Sequence, residues 1–268
     1  MLPEPDAVAR IVAEIAAEEM MPRFRSLDRE EVREKGPGDF VTVVDEICER
    51  RLTAALADLR PGSLVVGEEA SHHDASVIER LGGEDWAWVI DPLDGTRNFA
   101  HGIARFASMV ALVRGDRVVL GVIHDPIAGR TALAAEGEGA FEDGTRLGVS
   151  DRDALPGMAG AYGKPSRGPR REAADRLGRA LAENHRISCA GMTYVELARG
   201  ELDIALFARL WPWDHAPGSL IHAEAGGWGA ILPDAAPYTP RRHKGSLLCT
   251  PDRETWDRVA GMLKDLEL

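Results

Sequence analysis

Acidic residues close four separate apolar stretches of this 268-residue chain. The densest group is Asp91-Pro92-Leu93-Asp94-Gly95-Thr96, which follows the apolar run 86–90. Pro92 fixes its own φ and removes a backbone donor, and Gly95 permits a tight bend. Two carboxylates three residues apart then point into one small volume at a strand end. The N–H groups around Gly95 and Thr96 can hold an anion there, as at a helix N-terminus. Taken alone, such a run equally makes an Asp-rich turn capping a helix. Glu68-Glu69 ends SLVVGEE, although adjacent glutamates are commonly just solvated. Asp45 lies three residues after Thr42, which also fits a capping box. Asp214, in WPWDHAPG, can equally be the N-cap of the helix after it. Together these readings change weight. Carboxylates gather in one site only if they share protons or bind cations. Oxygen donors without His or Cys clusters suit Mg²⁺ rather than Zn²⁺. Two or three such ions beside a phosphate-sized N–H pocket transfer a phosphoryl group to water.

The elements that must carry these residues follow from periodicity. Residues 5–21 and 42–59 place apolar side chains on one helical face: Val8, Ile11, Val12 and Ile15, then Val44, Ile47, Cys48, Leu52 and Leu56. Residues 64–66 and 86–90 read as buried strands, and 106–114 with 117–124 as a hairpin around Gly115-Asp116. Short strands with glycine turns continue to about residue 149. Beyond it, strands over 158–162, 186–189, 202–207, 229–232 and 245–250 alternate with helices over 171–183, 192–199, 215–225 and 252–266. The fold class is α/β, with an α+β N-terminal half and an α/β C-terminal half. Residues 164–171 read as an exposed loop, as does His72-His73. His101, His215 and His222 read as packing or hydrogen-bonding residues, and Trp211 and Trp213 as packing under Asp214.

Composition narrows the partners. Lys plus Arg total 32 and Asp plus Glu 44, a net charge of −12, which argues against nucleic acid or an anionic membrane. Cys48, Cys189 and Cys249 form no CxxC pair, which fits a reducing compartment, and the acidic N-terminus lacks the order of a signal peptide. A cytoplasmic protein is expected. GxxxxGK[ST], GxGxxG, GxSxG and HExxH are absent.

In this order the motifs resemble those of the inositol monophosphatase family, within the lithium-sensitive, magnesium-dependent phosphatases. They are Gly38-Asp39 with VTVVD, Gly67-Glu68-Glu69, DPLDGT, Trp213-Asp214 and then Gly226-Gly227, in a resemblance running from about residue 5 to the C-terminus. It implies a layered αβαβα sandwich, usually a homodimer, and hydrolysis of a small phosphorylated metabolite. Residues 1–150 would carry most metal ligands, and 151–268 Asp214 and the substrate pocket. By the same resemblance, Glu68, Asp91 and the Leu93 carbonyl hold one Mg²⁺, and Asp91, Asp94 and Asp214 a second. A third, weaker ion sits near Glu68, and Li⁺ competes at a magnesium position. Thr96, oriented by Asp45, positions the attacking water, with Glu69 behind, while Gly95 and Thr96 bind the phosphate. The substrate half departs from the inositol-specific pattern. Within 185–191, Ser188 stands in place of a glycine, followed by Cys189 and Ala190. Phe207 stands where a glutamate contacts inositol hydroxyls, a contact that an apolar ring cannot make. The alcohol is therefore inositol-like or that of histidinol phosphate, 3′-phosphoadenosine 5′-phosphate or fructose 1,6-bisphosphate. A regulatory or binding protein on the same fold is the reading of another class.

Overall fold

The computed structural model describes residues 2–27, 31–36, 39–74, 76–83, 85–163, 167–266 and 268. Gly38 of the first motif lies outside them, as do 164–166 of the expected loop. Helix α1 (Pro5–Ile15) buries Val8, Val12 and Ile15 and continues into a π-helical turn. The hairpin β1 (Val32–Gly36) and β2 (Asp39–Thr42) leads into α2 (Val43–Leu59). Strand β3 (Leu64–Gly67) crosses over through α3 (Glu68–His73) and α4 (Ser76–Glu79) to pair in parallel with β4 (Trp86–Asp94). After α5 (Thr96–Ala100) comes an antiparallel meander: β5 (Ala107–Arg114), β6 (Arg117–Asp125), β7 (Arg130–Ala135), β8 (Gly139–Glu142) and β9 (Thr145–Arg146). These seven strands form one sheet in chain order. Leu52 and Leu56 of α2 and Val8 of α1 pack on Trp88, Ile90 and Val110 of its outer face.

The second sheet has the order β11-β10-β12-β14-β13. It is built from β10 (Ala159–Tyr162), α6 (Pro169–Ala180), β11 (Glu183–Arg186), α7 (Ala190–Ala198), β12 (Ile204–Phe207), α8 (Pro212–Glu224), β13 (Trp228–Leu232), β14 (Ser246–Thr250) and α9 (Arg253–Leu263). β11, β10 and β12 are parallel, and β14 runs antiparallel to both its neighbours, so the α/β half ends in an antiparallel edge. Helices α7 and α8 fill the middle layer. Their Tyr194, Leu197 and Ile221 share one core with Met109 and Ile123 of the first sheet and Phe207 and Leu247 of the second. Helices α6 and α9 close the far face through Leu177, Trp256 and Val259. The result is the five-layer αβαβα sandwich.

Five local expectations shift. The strand expected over 186–189 lies at Glu183–Arg186, because its pairing with β10 stops at Tyr162↔Arg186 and Cys189 already caps α7. Asp214 is not an N-cap. Pro212 occupies the first helical position, which suits its missing N–H, so Trp211 is the cap and Asp214 sits in the first turn. Pro169 likewise starts α6 inside the expected loop. His72 is exposed but helical, in α3. Trp213 is buried as expected, whereas Trp211 is 41% exposed and stacks on it at 5.4 Å.

Candidate active site

The DPLDGT segment is a bulge. Asp91 pairs with Met109 of β5 and Asp94 with Ala107, so β4 carries one extra residue there. In a regular strand, residues three apart face opposite sides. The extra residue, where Pro92 has no N–H to give the ladder, turns both carboxylates the same way. Asp91 Oδ1 accepts from the Leu93 N–H at 3.0 Å and braces the bend. Gly95 then takes φ 86°, the left-handed region, to cap α5.

One cavity of about 570 Å³ gathers most of the expected residues. Glu68, Asp91, Leu93, Asp94, Gly95 and Thr96 line it from the first sheet, and Ser188, Cys189, Ala190 and Asp214 from the second. Asp45 stands one layer behind, buried at the start of α2. Its capping box is present: Oδ2 accepts from the Thr42 N–H at 2.8 Å and the Thr42 hydroxyl at 2.6 Å. Oδ1 accepts from the Thr96 hydroxyl at 3.0 Å. The same hydroxyl lies 2.8 Å from the Leu93 carbonyl. The cap and the site residue are therefore one side chain. Glu69 faces a cleft along α2 with Glu46 and Glu49, although its charge reaches Asp45. Phe207 lies outside the acidic cavity. It stacks on Tyr194 at 4.8 Å and lines the adjoining cavity.

Burial raises the carboxyls of Asp45, Asp91 and Asp94. It pushes Asp45 up to about 7, against the opposing pull of the Thr42 hydrogen bonds. Asp91 rises well above the usual carboxylate range through burial and then the charges of Glu68, Asp94 and Asp214. Asp94 rises through burial, opposed by donors from α7. Those donors are the Cys189 thiol at 2.9 Å and the Gly191 N–H at 2.6 Å, both to Oδ2. Burial keeps the Cys189 thiol protonated, so it acts as donor.

The donor set fits a hard cation by its chemistry: oxygen atoms only, an excess of negative charge, and carboxylates that burial and repulsion hold back from ionising. The acids line the cavity wall, and among the described residues no three His, Cys, Asp or Glu close tightly enough to hold a metal ion.

Several site residues carried no motif. Glu49 accepts from the Glu69 and Ala70 N–H groups at 2.8 Å each and caps the helix bearing Glu68. Its signal was available, since it lies four residues after Asp45 on one buried face of α2. Asn98 donates to the Arg105 and Ser188 carbonyls at 2.7 and 3.0 Å, tying the DPLDGT loop to the second sheet's side. Arg105 pairs with Glu196 of α7 across the same seam. Arg186 and Arg209 line the cavity mouth. No local pattern distinguishes these four from surface residues. His101 bonds the Arg97 carbonyl, and buried His215 bridges the Tyr194 hydroxyl and the Arg209 carbonyl, as hydrogen-bonding roles require.

Comparison with known proteins agrees with this geometry. The family model described as inositol monophosphatase family matches residues 3–260. A fructose-1,6-bisphosphatase/inositol-1-monophosphatase of Aquifex aeolicus is 32% identical over 226 residues, covering 82% of this chain and 83% of that protein. A Pseudomonas aeruginosa protein named Nus factor SuhB is 37% identical over 215 residues, covering 76% and 78%. The solved structure of a Thermotoga maritima IMPase superposes with a TM-score of 0.83 at 25% identity, covering 97% of this chain and 96% of that one. Among the described residues no helix is long and apolar enough to cross a membrane. The layered fold, the acid-lined cavity and a match over nearly the whole length place the chain in the inositol monophosphatase family, whose members are generally metal-dependent phosphoric monoester hydrolases acting on small phosphorylated substrates.

Proposed function

We propose that this protein is a Mg²⁺-dependent phosphomonoesterase that transfers the phosphoryl group of a small phosphorylated alcohol to water. The observation that carries this reading is the set of acids lining one cavity beside a threonine hydroxyl already bonded to Asp45. Glu68, Asp91, the Leu93 carbonyl, Asp94 and Asp214 would hold two or three Mg²⁺ ions. Bound there, the ions supply charge neutralisation for the phosphate and acidify water.

The protein's own groups do the rest. The Thr96 hydroxyl has one proton, directed to Asp45 or the Leu93 carbonyl, so an oxygen lone pair is left to accept from a water molecule. Three donors hold Asp45 in place for that task. The first-turn N–H groups of α5 lack intrahelical acceptors and can take phosphate oxygens. The water oxygen forms the new P–O bond as the ester P–O bond breaks, giving orthophosphate and the alcohol. The cytoplasm and a homodimer belong to the same proposal.

The test is phosphate release from inositol 1-phosphate, histidinol phosphate, 3′-phosphoadenosine 5′-phosphate, fructose 1,6-bisphosphate and glycerol 2-phosphate, with and without Mg²⁺. Mg²⁺-dependent release from at least one is expected, and Asp91→Asn lowers it by at least about 100-fold. Near-wild-type turnover by Asp91→Asn overturns the ligand assignment. One comparison favours a second reading, since a relative bears the name of a Nus factor rather than of an enzyme. If Asp91→Asn lacks turnover yet restores a deletion strain, the protein acts through a partner.

A further inference from the structure

We propose that Tyr238 is a positioning residue for the metal site: its buried hydroxyl donates to the Asp214 carboxylate and fixes which carboxylate oxygen faces the ion. This rests on the Mg²⁺-dependent reading and gives a role to a residue outside the acidic motifs. Tyr238 lies in the connection between β13 and β14. Among the described residues, four buried side-chain polar atoms have no hydrogen-bond partner: Trp88 Nε1, His222 Nε2, Trp228 Nε1 and Tyr238 Oη. Tyr238 Oη is the only oxygen in that set. A buried hydroxyl without a partner gives up its water and gains nothing in return, so such a group points to a partner acquired in the working state.

The ring stands against the first turn of α8. Its centroid lies 6.0 Å from that of His215, the residue after Asp214. It packs on two apolar clusters, one holding Trp213 and Ala216 and the other Tyr194 and Phe207. The connection that carries it is tied down on both sides. The Ile231 N–H donates to the Ala236 carbonyl at 2.8 Å, and Arg241 pairs with Asp116 of the β5–β6 turn at 2.7 Å.

The neighbours decide the acceptor. His215 Nε2 faces the Arg209 carbonyl, which only accepts, so that nitrogen carries the ring's proton. Burial keeps the ring neutral, its pKa pushed down to about 4, so Nδ1 is an acceptor and takes the Tyr194 hydroxyl at 2.9 Å. Neither nitrogen is left for Tyr238. The Tyr194 hydroxyl is shared with the Cys249 thiol. The charge that reaches Tyr238 is that of Asp214. Burial, and then that charge, hold the Tyr238 hydroxyl protonated, so it acts as a donor. A carboxylate bound to a cation is ionised, and an O–H bond to it is charge-assisted. Mg²⁺ demands near-octahedral geometry, so the orientation of each carboxylate ligand governs how well it binds.

Tyr238→Phe keeps the ring and removes only the hydroxyl. Titration calorimetry of the full chain with Mg²⁺, without substrate, should show the dissociation constant of one ion raised by about tenfold, the low end for an outer partner of a metal ligand. The melting temperature in EDTA should stay level or rise, because an unpartnered buried hydroxyl is lost, whereas the gain on adding Mg²⁺ should shrink. In an Asp214→Asn background the Phe substitution should change Mg²⁺ binding no further, since Tyr238 acts through that carboxylate. Wild-type Mg²⁺ affinity in Tyr238→Phe, or the same loss in both backgrounds, overturns the positioning role while the phosphatase stands. A lower melting temperature in EDTA with the Mg²⁺ gain unchanged makes the hydroxyl merely structural and overturns the role as well. A wild-type protein that neither binds Mg²⁺ nor releases phosphate from any ester overturns both.

Discussion

Thr96 joins two halves of the site through one hydroxyl. It touches Asp45, which belongs to the start of α2, and the Leu93 carbonyl, which belongs to the bulge of β4. Removing it leaves Asp45 with its Thr42 donors, so the helix cap survives. Thr96→Ala should therefore lower kcat by about 100-fold, as loss of a proton-relay group does, with little change in melting temperature. Thr96→Ser keeps the hydroxyl and should retain most activity. Steady-state kinetics beside thermal unfolding separate the outcomes. A Thr96→Ala enzyme that turns over normally would remove the residue from the mechanism.

At the scale of elements, α8 must lie close to the first sheet to bring Asp214 over Asp91. Gly121 on β6 makes that approach possible: a Cβ there would stand 2.6 Å from the Pro217 carbonyl oxygen and 3.1 Å from its Cα. Backbone cannot step aside as a side-chain end can. Gly121→Ala should cost about 1–3 kcal/mol in stability, the usual range for overpacking, and lower turnover by displacing Asp214. Denaturant unfolding and phosphate release on the same sample check both. Full activity with full stability would mean that α8 tolerates the shift. Gly67 shows the same economy at the other wall, where an added Cβ would meet the Glu49 carboxylate at 2.3 Å and disturb the cap of α3.

For the whole molecule, stability against pH sums opposing contributions. Burial holds His222, on the α8 layer, neutral, with its pKa pushed down to about 4 and its ring bonded to the Thr250 backbone. The unfolded chain protonates this histidine near 6.5, whereas the folded one resists until about 4. Its stabilisation is therefore present above pH 6.5 and is lost as pH falls through that window. The raised carboxylates Asp45, Asp91 and Asp94 act in the opposite sense, since the folded state takes up their protons first. A single variant isolates the histidine. Between pH 6.5 and 4, wild type should lose stability more steeply than His222→Gln, by up to about 1.4 kcal/mol per pH unit. Parallel stability curves for the two proteins would contradict the assignment.

The amphipathic helices, the β5–β6 hairpin and the four acidic motifs were legible because each depends on neighbours a few residues away. Periodicity marked the buried faces of α1 and α2, and Thr42 with Asp45 announced a cap that exists. The shared side of Asp91 and Asp94 depended on more. The spacing drew them together, but only the register of β5 creates the one-residue bulge that does so. Asn98 and Arg105 were hidden because their partners lie far along the chain, and Arg186 and Arg209 because the elements that carry them meet only in the fold, whereas Glu49 shares a buried face of α2 with Asp45. Asp214 was legible as an acid at a helix start, but its place over the cavity is set by α8 lying against β6. The sequence by itself determined which groups can hold a cation and a phosphate, because donor chemistry is a property of residue type. Tertiary structure alone decided which groups line the cavity beside the acids, because that wall is assembled from α6, β11 and the approach to α8, elements that meet only when the sheet has formed.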